Sequence, residues 1–215
     1  MYLSIPIFFV VGRWRTTTNY CRVLTGCGGT FSTEESAVSI QKNGKIIGAS
    51  IETFDKKYYK EADLDEYVKE EVSTYTSKAG KDSIKITSFK VEEKYAKLFL
   101  KYETGEDYAK FNGEEFFSGT LPEAMAEGYD FAEAYFYVEG TKLGKSASRD
   151  EFLDNPDLKV VILKEKLDVL VPGKICFVSN NVKLTGKESV SPLKDKKGNY
   201  LDDGTQDEFI TVIYE

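Results

Sequence analysis

Three kinds of side chain in this 215-residue sequence could do chemistry: three thiols, two Ser-x-x-Lys pairs and a large set of carboxylates. Ser39-Ile40-Gln41-Lys42 and Ser191-Pro192-Leu193-Lys194 have the spacing at which a lysine can serve a serine nucleophile. That geometry needs a helix, yet the first copy falls in a strand pattern and the second contains proline. Neither is expected to be catalytic. Residues 195–208, DKKGNYLDDGTQDE, gather oxygens that a hard cation could use, with Asp202, Asp203 and Asp207 as the weak metal candidates. Lys197 stands where a calcium loop needs its second acid, so a solvated loop between strands is the expectation. Glu92-Glu93, Glu114-Glu115 and Asp202-Asp203 could in principle supply a glycosidase with paired acids. With 36 Asp and Glu in the chain, adjacent acids arise without a catalytic reason. Histidine is absent, which removes the commonest general base, the usual activator of Ser or Cys, and the commonest zinc ligand. No catalytic residue and no cofactor are assigned.

Of the thiols, Cys176 sits in the apolar run Lys174-Ile175-Cys176-Phe177-Val178 and is expected to pack as a small hydrophobe. Cys27 is different. Residues 2–11 form an apolar run of signal-peptide length, too short to span a bilayer as a helix. Beyond them comes Leu24-Thr25-Gly26-Cys27, followed by Gly28 and Gly29. This tetrapeptide resembles the lipobox of bacterial lipoproteins. The resemblance implies that Cys27 receives a diacylglyceryl group, that a peptidase cuts before it, and that the new amino terminus stays in the membrane. Two acyl chains, at roughly 0.8 kcal/mol per buried CH₂, anchor stably where one does not. The pattern departs from the family at residues 12–22, which are polar and basic where an apolar stretch should run into the lipobox. A misassigned start or a shifted reading frame upstream of about Arg22 would account for that. With its later KNG and VPGK strand turns, the chain from residue 22 loosely resembles small surface lipoproteins of Gram-positive bacteria.

The charge balance fits that location. The formal net charge is −7, but Arg13, Arg15 and Arg22 precede Cys27 with no acid among them. Taking those three from 29 basic residues leaves 26 against 36 acids, or −10. Such a surface repels phosphate backbones, so no nucleic-acid partner is expected. The membrane, reached through the lipid, is the expected partner; any ligand or protein partner is left open.

These residues must be positioned by a domain that follows. Segment 1–26 reads as signal peptide, 27–35 as a flexible lipid-anchored tether, and 36–215 as one α+β domain. Asn43-Gly44 between apolar runs 37–42 and 45–54 is a two-residue hairpin signal of type I′. Asp63-Leu64-Asp65-Glu66 reads as a capping box, opening a helix that carries Leu64, Tyr67, Val68, Val72 and Tyr75 and stops at Gly80. Residues 84–91 and 95–102 form a second hairpin with a bulge near Ser88. The first half is therefore ββαββ, a mainly antiparallel sheet with one major amphipathic helix. After a possible sub-domain boundary near 105–119, Thr120-Leu121-Pro122-Glu123 opens a short helix ended by Gly128, and Ser148-Arg149-Asp150-Glu151 opens another. The carboxy-terminal half is strand-rich, at 134–139, 159–164, 168–171, 174–178, 182–185 and 209–214. Residues 160–163, apolar on both faces, should be central in a sheet.

The functional expectation is a non-enzymatic, membrane-anchored extracytoplasmic lipoprotein that binds a ligand or supports the envelope. The alternatives are a solute-binding lipoprotein of a transporter and a carboxylate-dependent envelope hydrolase.

Overall fold

A computed structural model of the chain describes residues 31–200 and 209–215. The first half follows the order β1 (Ala37–Ile40), β2 (Ile46–Thr53), α1 (Glu61–Ala79), β3 (Ile84–Glu92) and β4 (Tyr95–Tyr102). Alternation makes β4 the organiser: Ala96, Leu98, Leu100 and Tyr102 are all buried on one face. It lies between β2 and β3, and the register of β3 slips between Ile86 and Ser88, at the expected bulge.

Two local expectations are corrected. The β1–β2 connection is not a two-residue I′ turn, because Asn43 keeps a negative φ and only Gly44 is left-handed, at φ 79°. Gly44 N–H donates to the Gln41 carbonyl at 2.9 Å, and Gln41 N–H to the Lys45 carbonyl at 2.8 Å. This is a type I turn closed by a glycine bulge, which asks for positive φ at one residue rather than two. Helix α1 starts at Glu61, before the expected cap, and its N-cap Lys60 makes no side-chain capping bond. Asp63 lies inside the first turn, where its charge complements the helix dipole.

The second half runs α2 (Gly105–Asn112), β5 (Phe116–Thr120), α3 (Leu121–Ala126), β6 (Tyr135–Glu139), β7 (Lys142–Ala147), α4 (Asp150–Leu153) and β8 (Lys159–Leu163). It continues with β9 (Asp168–Leu170), β10 (Ile175–Ser179), β11 (Val182–Leu184), β12 (Ser189–Pro192) and β13 (Ile210–Tyr214). Thr120 and Glu123 make the full reciprocal capping box of α3. At α4 only half of the expected box forms: Glu151 Oε2 accepts from Ser148 N–H at 2.7 Å, but the serine hydroxyl caps nothing.

Two sheets result, of order β11-β12-β9-β1-β2-β4-β3 and β5-β8-β13-β10-β6-β7. The fold is α+β and mainly antiparallel, with β1·β9 a parallel pair. One continuous apolar cluster joins the sheets: Val38, Ile46, Leu98, Leu100 and Val169 of the first meet Val161, Leu163, Ile175, Val178 and Val212 of the second. Helix α1 joins the same cluster through Val68 and Val72. The opposite face of the second sheet buries Val160, Ile162, Phe177 and Ile213 under Leu121, Ala124 and Phe152 of α3 and α4. Strand β8 is thus apolar on both faces because both are covered.

Region 105–119 is where the chain crosses from one sheet to the other. Strands β9, β11 and β12 return to the first sheet. The expected tether is also partly docked. The Phe31 and Phe99 rings meet edge to face at 6.0 Å, Thr33 is buried, and Glu34 pairs with Lys97 at 2.8 Å.

Candidate functional site

The residues singled out by motif do not converge. Ser39 is buried on β1 and accepts from Gln41 Nε2 at 3.0 Å, with no lysine aligned to it by a helix. Ser191 is buried on β12, and Lys194 is drawn instead to Glu35 at 3.5 Å and to the face of Tyr200. Cys176 is half-buried beside the outer aromatic cluster, and burial raises its pKa, which disfavours the thiolate. Cys27 and the metal candidates Asp202, Asp203 and Asp207 lie outside the described residues. At the start of that segment, Asp195 accepts from Lys197 N–H and from Asn199 N–H and Nδ2, which closes a small turn. Among the described residues no group of three or more acids or thiols could hold a metal ion.

A candidate site among the described residues was not marked by any motif. It is a half-open cavity of about 290 Å³, between the loop that follows α3 and the strands β8 and β13, lined by Gly128, Tyr129, Asp130, Phe131, Glu133, Tyr135, Ile162, Phe209 and Thr211. Its construction starts at Gly128, whose φ of 99° ends α3 and turns the chain back. Phe131 then adopts φ 53°, a conformation that costs a non-glycine residue about 1–2 kcal/mol. Burial offsets that cost. The Phe131 ring is 3% exposed and packs edge to face on Phe152 at 5.8 Å, in the cluster that holds the loop to the second sheet.

This turn puts two carboxylates on the cavity wall. Asp130 Oδ1 accepts from Ala132 N–H at 3.2 Å, and the Asp130 carbonyl accepts from Arg149 Nη1 at 2.9 Å. Glu133 Oε2 accepts from the Tyr135 hydroxyl at 2.7 Å. Tyr135 is completely buried, and burial and then the Glu133 carboxylate push its pKa far above the phenol range, while the Thr211 hydroxyl opposes them. Tyr135 is therefore a neutral donor that holds Glu133 in place. The remaining wall is aromatic: Tyr129 meets Phe209 edge to face at 5.7 Å and leans on Phe117 at 5.6 Å.

A second group of polar side chains, partly buried, joins α1 and α2 to the sheets. Tyr108 donates to Glu165 Oε2 at 2.7 Å, Asn112 Nδ2 donates to the Tyr102 hydroxyl at 3.3 Å, and Tyr75 donates to Asp107 Oδ1 at 3.1 Å. Burial raises the pKa of Glu165, with a further push from Glu114. Gly48 makes room for this cluster, since a Cβ there would stand 3.2 Å from the Tyr102 ring and 3.3 Å from that of Tyr108. The cluster reads as a satisfied polar seam between α2 and the sheets.

The cavity could have been suspected from Gly128-Tyr129-Asp130-Phe131, where aromatic and acidic residues alternate just after a glycine-ended helix. The distant contributors Ile162, Phe209 and Thr211 carry no such signal. No protein-family model, no curated protein and no solved structure matches the chain.

Proposed function

We propose that this protein is a non-enzymatic binding module, held to the extracytoplasmic face of a membrane by a lipid on Cys27, and that it takes a small ligand in the cavity beside β13. The observation that carries the binding reading is the cavity itself, where charged and polar atoms sit in a frame of aromatic rings fixed by buried contacts. A hydrolase built on carboxylates would use the same two acids, Asp130 and Glu133.

The anchoring reading is supported by Leu24-Thr25-Gly26-Cys27 and by the spacing that follows. Phe31 is the first described residue to touch the domain, so the chain between Cys27 and that contact is short. At about 3.3 Å per residue it would keep the domain within roughly 15 Å of the lipid. Metabolic labelling with a fatty-acid analogue in a bacterial host, with the amino-terminal signal repaired, tests this. Label is expected in the wild type and lost in Cys27→Ala; equal label in both removes the anchor.

A further inference from the structure

We infer that the cavity ligand is a small organic cation, a free ammonium compound; this rests on the reading of the cavity as a ligand site. The charged side chains that line it, Asp130 and Glu133, are both acids. The two cations at its edge are already engaged: Arg149 with the Asp130 carbonyl, and Lys164 with Glu115 at 3.5 Å. Each lining carboxylate has one oxygen committed within the protein, Asp130 Oδ1 to Ala132 and Glu133 Oε2 to Tyr135, which leaves the other as an acceptor.

The rings supply the second half of the recognition. Tyr129 and Phe209 stand at 83° to each other, so the face of one and the edge of its neighbour form a corner. An ammonium in such a corner gains from the negative face of each ring it covers, and the gain rises as water is excluded. Lys164 Nζ stands 5.8 Å from the Phe209 centroid, and its charge is offset by Glu115 at 3.5 Å. A neutral polyol would gain stacking from the same rings and could donate its hydroxyls to the open carboxylate oxygens, but it lacks the net attraction of a positive charge to two acids and to ring faces, and an anion would be repelled by both acids. The volume of about 290 Å³ suits a small molecule rather than a peptide chain.

The test uses the full-length protein and four probes: choline, its uncharged carbon isostere 3,3-dimethylbutanol, phosphocholine and glucose. Binding is followed by NMR through the Thr211 methyl and the ring protons of Tyr129 and Phe209. Choline is expected to shift these signals saturably, with the isostere at least tenfold weaker. Glu133→Gln and Asp130→Asn should each weaken choline about tenfold, and Phe209→Leu should weaken it severalfold with the fold retained. Phosphocholine separates a free amine from one carried on a lipid headgroup, because its phosphate faces the two acids. Binding of phosphocholine as tight as choline overturns the free amine. Equal binding of the isostere, or binding of glucose alone, overturns the cation while leaving the cavity a ligand site. Silence with all four probes overturns both.

Discussion

Glu165 is a carboxyl that the fold makes harder to ionise, and this has a definite consequence for stability. Its pKa is raised above the ordinary value of 4.5 by burial first, with Glu114 adding to the push and the Tyr108 hydroxyl opposing it. Between the unfolded and folded values the native protein therefore holds a proton that the unfolded chain has released. Stability from this group is full below pH 4.5 and falls as pH rises through the folded value. Gln keeps an acceptor for Tyr108 and cannot ionise. Thermal unfolding of Glu165→Gln should show little advantage over wild type at pH 4 and a growing one toward neutrality. A difference that does not change with pH would sink this account. At the same scale the candidate site was poorly legible in the sequence. Asp130 and Glu133 were two acids among 36, and nothing in their spacing said that a buried Tyr135 would hold one of them in place. Ser39 and Ser191, the serines of the two Ser-x-x-Lys pairs, are buried strand residues, in keeping with the expectation that neither is catalytic.

Gly44 shows how little sequence error it takes to change a turn. The dipeptide Asn43-Gly44 marked the hairpin correctly, but Gln41 and Lys45 pair outside it, so the loop has one left-handed residue. A Cβ at Gly44 would meet nothing within 4 Å, so Gly44→Ala isolates the backbone cost. It should destabilise by about 1–2 kcal/mol in urea titration, with Gly44→Asn losing less, because asparagine tolerates the left-handed region. Equal losses for Gly44→Ala and Asn43→Ala would contradict the single-glycine turn. Legibility at this scale followed the strength of the local signal. The β4 alternation, the bulge near Ser88 and the Thr120 capping box all read directly. Helix α2 and strands β5, β7 and β12 did not. Helix α2 is eight residues long, β7 alternates weakly with Gly144 inside it, and β12 contains Pro192. Each is held by its neighbours more than by its own pattern: β5 by five register pairs to β8, and β12 by pairing on both sides.

The whole molecule is tied together by pairings distant in sequence. Strand β1 lies parallel to β9, with Val38 opposite Val169, and a common apolar cluster spans both sheets. Urea unfolding followed by far-ultraviolet circular dichroism and by tyrosine fluorescence should therefore give one coincident transition. Two separated transitions would place a boundary near 105–119. The ββαββ order of the first half was legible because it is made of neighbours, whereas pairing partners so far apart leave no local trace. Strand β13 carries a consequence of another kind. It occupies the middle of its sheet, bonded to β8 on one side and β10 on the other, while residues 210–214 are made after all of their neighbours. Each flanking strand has its outer partner already, β5 for β8 and β6 for β10, but lacks its inner one until synthesis has passed that point, and contacts of such long range form slowly. Until β13 arrives, β5 with β8 and β6 with β10 stay two separate pairs, so the two halves of this sheet join only once residues 210–214 have been made.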